Sequence, residues 1–219
     1  MTPSPQLTLD DLLHEAELAH GHLCAGQILG VRMAMLACER LGIQDPRGRW
    51  STNDRKRLVT FVEIDRCATD AIGVVTGCRL GKRALKFRDW GKMAATFLDL
   101  AAPLHQDGET PRFKGIRINA LESSRQRASE LYPRIENRNQ QQMRAYRELP
   151  VAELFHEQWV QVPLPAHEMP GYKAGRILCS ECGEGISFDR HVVRDGAILC
   201  QACAQPELRY YQPLPGVCP

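Results

Sequence analysis

Cys179-Ser-Glu-Cys182 and Cys200-Gln-Ala-Cys203, with 17 residues between them, divide this chain. Two close pairs of thiols a hairpin's length apart can wrap one ion tetrahedrally, and zinc is the ion that thiolates at this spacing usually hold. Outward from them, a metal-pinned module over about 172–208 stands behind a larger N-terminal part. Pro163, Pro165, Pro170 and Gly171 read as the linker, so the expected division is 1–170 and 171–219. The four cysteines complete a tetrahedral shell, which leaves His191 inside the module without a role.

The chain has 219 residues, 43% hydrophobic and 25% charged, enough for one medium domain with a core and a small appendage. A net charge of +2 is too mild to argue for nucleic acid. Within the module, Arg176, Arg190 and Arg194 are offset by Glu181, Glu184, Asp189 and Asp195, unlike a surface that tracks phosphates. No stretch approaches the run of about 18 apolar residues that a membrane span needs. The start, MTPSPQLTLDDLL, lacks the basic-then-apolar pattern of a secretory leader. Nine cysteines in such a chain imply a reducing compartment, the cytoplasm, where cysteines act as metal ligands or reactive thiols more often than as disulfides.

Upstream, Thr8 caps a helix running through Asp10 and Asp11 toward Ala19, with acids in its first turn. Gly21 and Gly26 break the pattern, and a second helix covers about 27–41, apolar on most sides and closed by Gly42. Such a helix either crosses the core or meets a second copy of the chain, so a homodimer is expected. Residues 43–57 read as a polar loop, 57–64 as a strand, 67–76 as a short helix, 84–97 as a hairpin turning near Trp90-Gly91, and 115–119 as a strand. Residues 121–149 are helix-prone with a break at Pro133; 151–155 continue as helix and 157–164 as strand. Cys38 reads as core packing and Cys218 as a bystander near the end.

Three segments carry chemistry-bearing residues. In His20-Gly-His22-Leu-Cys24, an extended backbone points all three donors to one side, where they can converge on a transition metal; the same residues also suit a polar loop whose histidines bond locally. In Glu63-Ile-Asp65-Arg-Cys67-Ala-Thr-Asp70, Cys67 falls where strand gives way to helix, and a helix N-terminus stabilises a thiolate that ligates or attacks. The alternative is that Asp65 and Thr69 cap the helix and Cys67 is a small buried hydrophobe. In Thr76-Gly77-Cys78-Arg-Leu-Gly81-Lys82, the glycines suit a tight loop and Lys82 can meet an anion, or the segment is an ordinary turn; P-loop spacing is absent.

Together these segments resemble the FmdE family, named for the molybdenum formylmethanofuran dehydrogenase operon. The stretches that carry the resemblance are HGHLCAGQILGVR at 20–32, VEIDRCATDAI at 62–72, TGCRLGK at 76–82 and FRDWGKMAATF at 87–97, in order over about 9–160. The resemblance implies an α+β core, with His20, His22, Cys24, Cys67 and Cys78 gathered near one another. The cysteine module resembles the zinc finger that members of this family often carry, of treble-clef type: a knuckle, a hairpin, then a helix giving the last two ligands. Ala25 stands where the family usually has proline, and Arg83-Ala84 where it tends to have glycine and asparagine.

The family supplies no established reaction. The leading expectation is a metal-binding accessory protein that assists a molybdenum- or tungsten-pterin oxidoreductase by handling metal or cofactor. His20, His22, Cys24, Cys67 and Cys78 would hold a second transition metal. Glu63, Asp65 or Asp70 would orient the imidazoles. Gly77, Gly81 and Lys82 would hold an anionic group, for example of a molybdopterin-type cofactor. The alternative is an enzyme: a zinc site with Asp65 or Asp70 as general base, or a thiol enzyme using Cys67 and Cys78, with Lys82 at the rim.

Overall fold

The computed structural model describes residues 7–105, 110–212 and 214; residues 1–6, where a leader would begin, and Cys218 lie outside them. The chain divides into two compact units, Met1–Pro170 and Gly171–Pro219. Among the described residues no helix is long and apolar enough to cross a membrane.

Helix α1 (Leu9–His20) opens on a capping box. The Asp11 amide donates to Thr8 Oγ1 at 3.2 Å, and the Thr8 amide donates to the Asp11 carboxylate at 2.9 Å, so two otherwise unpaired donors are satisfied reciprocally. Gly21, at φ +95°, ends α1 in a left-handed turn open to glycine at little cost. Helix α2 (Ala25–Leu41) starts two residues earlier than expected, and Gly26 lies inside its first turn. The reason is tertiary. No side chain of its own N-cap, Cys24, bonds the helix start; the Ala25 amide instead donates to Asn139 Oδ1 at 3.2 Å.

Eleven of the 17 residues of α2 are buried, among them Ile28, Val31, Met33 and Leu36. Its faces are covered by α1, by α3 (Cys67–Thr76), by α5 (Arg138–Glu148) and by the sheet, all within one chain. The apolar character read as a contact for a second copy is thus absorbed by the protein's own core. Between α2 and α3 the backbones nearly touch: a Cβ on Gly30 would sit 2.5 Å from the Ala68 carbonyl oxygen and 2.9 Å from the Ala71 Cβ. Glycine at this position permits the crossing that lays the start of α3 beside the start of α2.

The sheet has the order β2-β1-β3-β4-β5, with β1 (Leu58–Val62), β2 (Leu85–Phe87), β3 (Ala94–His105), β4 (Arg112–Ala120) and β5 (Phe155–Pro163). The hairpin expected over 84–97 does not form. β1 lies between the two segments, parallel to β2 and antiparallel to β3. Leu58, Val59, Thr60 and Val62 are all buried, so β1 needs a neighbour on each side, and the connection through Trp90 carries the chain around its end. α4 (Ser123–Leu131) and α5 flank the break at Pro133, and the single turn α6 (Val151–Leu154) leads into β5.

The helices pack on one face of the sheet, over Phe97, Ile116 and Ile118. Residues 164–169, expected to be part of a linker, form a strap on the other face. Leu164 is fully buried with Val59, Leu98 and Phe113. Arg83 donates to the His167 carbonyl, Lys86 Nζ to the Glu168 carbonyl at 2.5 Å, and Arg88 to the Glu168 carboxylate at 2.9 Å. Apolar area at Leu164 and Met169 explains why a proline-rich stretch is ordered here.

The second unit is two short hairpins and one turn of helix: β6 (Ile177–Leu178) with β7 (Gly185–Ile186), β8 (Val192–Arg194) with β9 (Ala197–Leu199), then α7 (Gln201–Ala204). Its buried apolar cluster is Ile186 with Cys179 and Cys203.

Candidate metal centre

Each ligand of the second unit comes from a defined place. Cys179 and Cys182 lie in the β6–β7 turn, Cys200 is the N-cap of α7 and Cys203 lies in its first turn. The four sulfurs lie within 4.8 Å of one another, and Cys182 and Cys200 are 3.9 Å apart. A zinc–sulfur bond of about 2.3 Å in a tetrahedron requires sulfurs about 3.8 Å apart, so the residues fit the ion. Amide hydrogen bonds from Cys182 and Cys200 hold the Cys179 thiol down to about 6, while burial and the neighbouring sulfurs push Cys203 up to about 12. The set therefore ionises in full only with a cation among the sulfurs. This is a structural zinc site.

In the first unit, α1 ends at His20, α2 begins after Cys24 and α3 begins at Cys67. The Gly30 crossing joins these ends. His20 Nδ1 lies 2.8 Å from Asp70 Oδ2, so the Nδ1–H donates to the carboxylate and Nε2 is left as the atom that can ligate. The rings of His20 and His22 are 4.9 Å apart. Cys67 adjoins Cys24: burial first, and then the Cys24 thiol, raise its pKa. A Cβ on Gly26 would sit 3.4 Å from Cys67 Cβ and 3.8 Å from Cys24 Sγ, which places that glycine against both cysteines.

Two cavities meet at Cys67 and Arg66. One, of about 360 Å³, has His20, Asp65, Thr69 and Asp70 on its wall; the other, of about 450 Å³, has His22, Cys24 and Gly26. Four of the five residues implied as core ligands therefore share one mouth. They are not closed on a point. Among the described residues, the four finger cysteines form the group of donors that all lie within 4.8 Å.

Cys78 is separate. It is 3% exposed beside β1, bonded by Thr60 Oγ1 at 3.5 Å and donating to the Leu58 carbonyl at 3.5 Å. Burial raises its pKa, and that of Cys38 near it to about 12, so both behave as inert small hydrophobes. Gly77, Gly81 and Lys82 also lie away from the mouth. The ten residues of α3 put about 14 Å of helix between Cys67 and Thr76. Arg47 packs over Gly77, with its Cγ 3.1 Å from where a Cβ would be, so that glycine is covered, while the space beside Gly81 is open.

Glu63 is also occupied elsewhere. It is 3% exposed and accepts both donors of Arg117 at 2.7 Å, on the sheet face opposite the helices, so it orients no imidazole. Thr69 donates to the Ile64 carbonyl at 2.5 Å, and Arg66, not Asp65, is the N-cap of α3. Sequence reasoning passed over Asn139, Arg66 and Arg125. Asn139 sits in a polar helix with no local signal for its bond to Ala25, more than a hundred residues away.

Known proteins resemble both parts of the chain. The family model FmdE, molybdenum formylmethanofuran dehydrogenase operon, matches residues 19–156, and that of the prokaryotic dksA/traR C4-type zinc finger matches 173–207. A protein of Archaeoglobus fulgidus, described as a probable S-adenosyl-L-methionine-binding protein, is 30% identical over 220 residues, covering 92% of this chain and 54% of that protein. The chain thus spans about half the length of that relative. A tungsten formylmethanofuran dehydrogenase FmdE-like protein from Syntrophus aciditrophicus superposes with a TM-score of 0.60 at 17% identity, over 95% of this chain and 100% of that one, which shows a shared fold. With its core matched from the His20 segment to β5 and a C4 finger behind it, this chain belongs to the FmdE family.

Proposed function

We propose that the protein binds and passes on a transition metal at the mouth formed by His20, His22, Cys24 and Cys67, as an accessory to a molybdenum or tungsten oxidoreductase. The observation that carries this reading is the His20–Asp70 bond at 2.8 Å beside His22 and the two thiols. A carboxylate behind an imidazole is the usual support of a metal-bound histidine. Imidazole and thiolate together suit zinc and other borderline ions. An ion would draw the donors inward from their present spacing, as befits a site that loads and releases more than a closed structural one. Cys24 and Cys67 must stay reduced to ligate, which favours a reducing compartment. This reading needs no pterin bound at the turn over 76–82, where Arg47 covers Gly77.

Elemental analysis tests the reading. Wild type should carry two metal populations, Cys179→Ala should lose one and Cys24→Ala the other. Unchanged metal content in Cys24→Ala under metal-replete conditions refutes it. An enzyme is the second reading, favoured by one observation: Asp65 is exposed on the same cavity wall as His20 and Cys67. A metal-loaded protein with turnover that Asp65→Asn abolishes without loss of metal would select it.

A further inference from the structure

The larger of the two cavities holds more than metal donors. Its volume of about 450 Å³ is in the range of pockets that bury a small organic molecule. Its lining includes the apolar Leu29, Met93 and Leu121 and the cationic Arg66 and Arg125, together with Cys24 and Cys67. Glu122, the carboxylate among the lining residues, is tied to Arg125 at 3.3 Å, and both are largely exposed, so the pairing is weak and exchangeable. Arg66 donates to no carboxylate among the described residues.

Four helices also begin on this wall. Ala25 opens α2, Arg66 caps α3, Glu122 caps α4, and Asn139 lies in the first turn of α5. Their positive ends add to the two guanidinium groups.

We propose that this cavity binds a small organic anion, an apolar body bearing a carboxylate or phosphate. Arg66 and Arg125 hold the acidic group and Leu29, Met93 and Leu121 hold the body. The proposal deepens the metal reading, since a molecule seated here lies against two of the ligating thiols and can accompany the ion. It rests on that reading only for the coupling between ion and anion; the cavity and its arginines stand without it.

Calorimetric titration of the full chain, metal-loaded and metal-stripped at the core site, with hexanoate, hexyl phosphate, inorganic phosphate and hexanol, tests it. Hexanoate or hexyl phosphate should bind, and hexanol at least tenfold more weakly. The Arg66→Gln/Arg125→Gln double variant should lose at least tenfold in that affinity while keeping wild-type metal content and melting temperature. Hexanoate bound more tightly than hexyl phosphate marks a carboxylate ligand, and the reverse a phosphate ester. Inorganic phosphate binding as tightly as both refutes the apolar body. Hexanol binding as tightly as hexanoate, no binding of either anion, or an unaffected double variant overturns the proposal. Arginine-dependent hexanoate binding in a chain whose core takes no metal would uphold the cavity and refute the metal centre, so the two failures are distinguishable.

Discussion

A carboxylate as enclosed as Glu63 survives in a core only with its counter-charge in place. Arg117 supplies both donors, and nothing else within the described hydrogen bonds reaches the Glu63 side chain. Arg117→Ala should cost about 3–5 kcal/mol, the usual effect of stranding one buried charge. Replacing both residues by methionine should recover most of that loss, because the pair's own attraction largely offsets its desolvation. Urea unfolding of the three proteins measures it; a single variant as stable as wild type would show that Glu63 finds water or another donor. The acidic neighbours of Cys67 looked alike in the sequence. Strand alternation put Glu63 on the far face of the sheet, while Asp70 came to lie against His20 and Asp65 on the same cavity wall, so Glu63 is the one withdrawn from it.

Helix α2 owes its position to what it lacks as much as to its apolar residues. Gly30→Ala forces a methyl group into the Ala68 backbone, and should destabilise the core by about 2–3 kcal/mol through overpacking. It should also weaken core metal binding, because the same crossing sets Cys24 against Cys67. Thermal melts and metal titration read the two effects together; a variant with lowered stability and wild-type metal affinity would separate the crossing from the site. The loop at 43–57 follows another rule. Burial acts to raise the pKa of Asp45, and the amides of Trp50, Arg49 and Ser51, at 2.7 to 2.9 Å, outweigh it and hold the value below the ordinary one. A depressed folded value contributes stability that is present above the unfolded value of about 3.9 and is lost as pH falls through the folded one. Trp50 emission, in a protein whose other tryptophans are changed to phenylalanine, should therefore shift below about pH 4, before the rest of the unit unfolds. Asp45→Asn should shift it already at neutral pH. Sequence marked this stretch as loop from its polarity; that Asp45, and Asp54 through the Gln44 and Asp45 amides, knit it to the backbone depends on turns that composition does not specify.

As a whole, the molecule is two units held by different means. The first has an extended apolar core between helices and sheet, while among the described residues of the second the buried apolar side chains are Ile186, Ala204, Cys179 and Cys203. A strong chelator should therefore unfold the second unit outright while the first keeps its secondary structure. Hydrogen exchange should show loss of protection over about 177–204 alone; cooperative loss across both units would mean that the core also depends on the finger's ion. Sequence by itself determined the finger's ligands, the two-part organisation, the caps of α1, the C-cap of α2 and the family, because each is written in local spacing: thiols three apart, glycine after a helix, an amphipathic period. Only the tertiary structure decided which distant residues meet. His20 finds Asp70 fifty residues away, Cys24 finds Cys67, and Cys78 is sealed behind β1, because the crossing of α2 and α3 and the pairing of β1 on both edges set those distances. Such contacts follow from packing across the whole unit, and no local pattern encodes them.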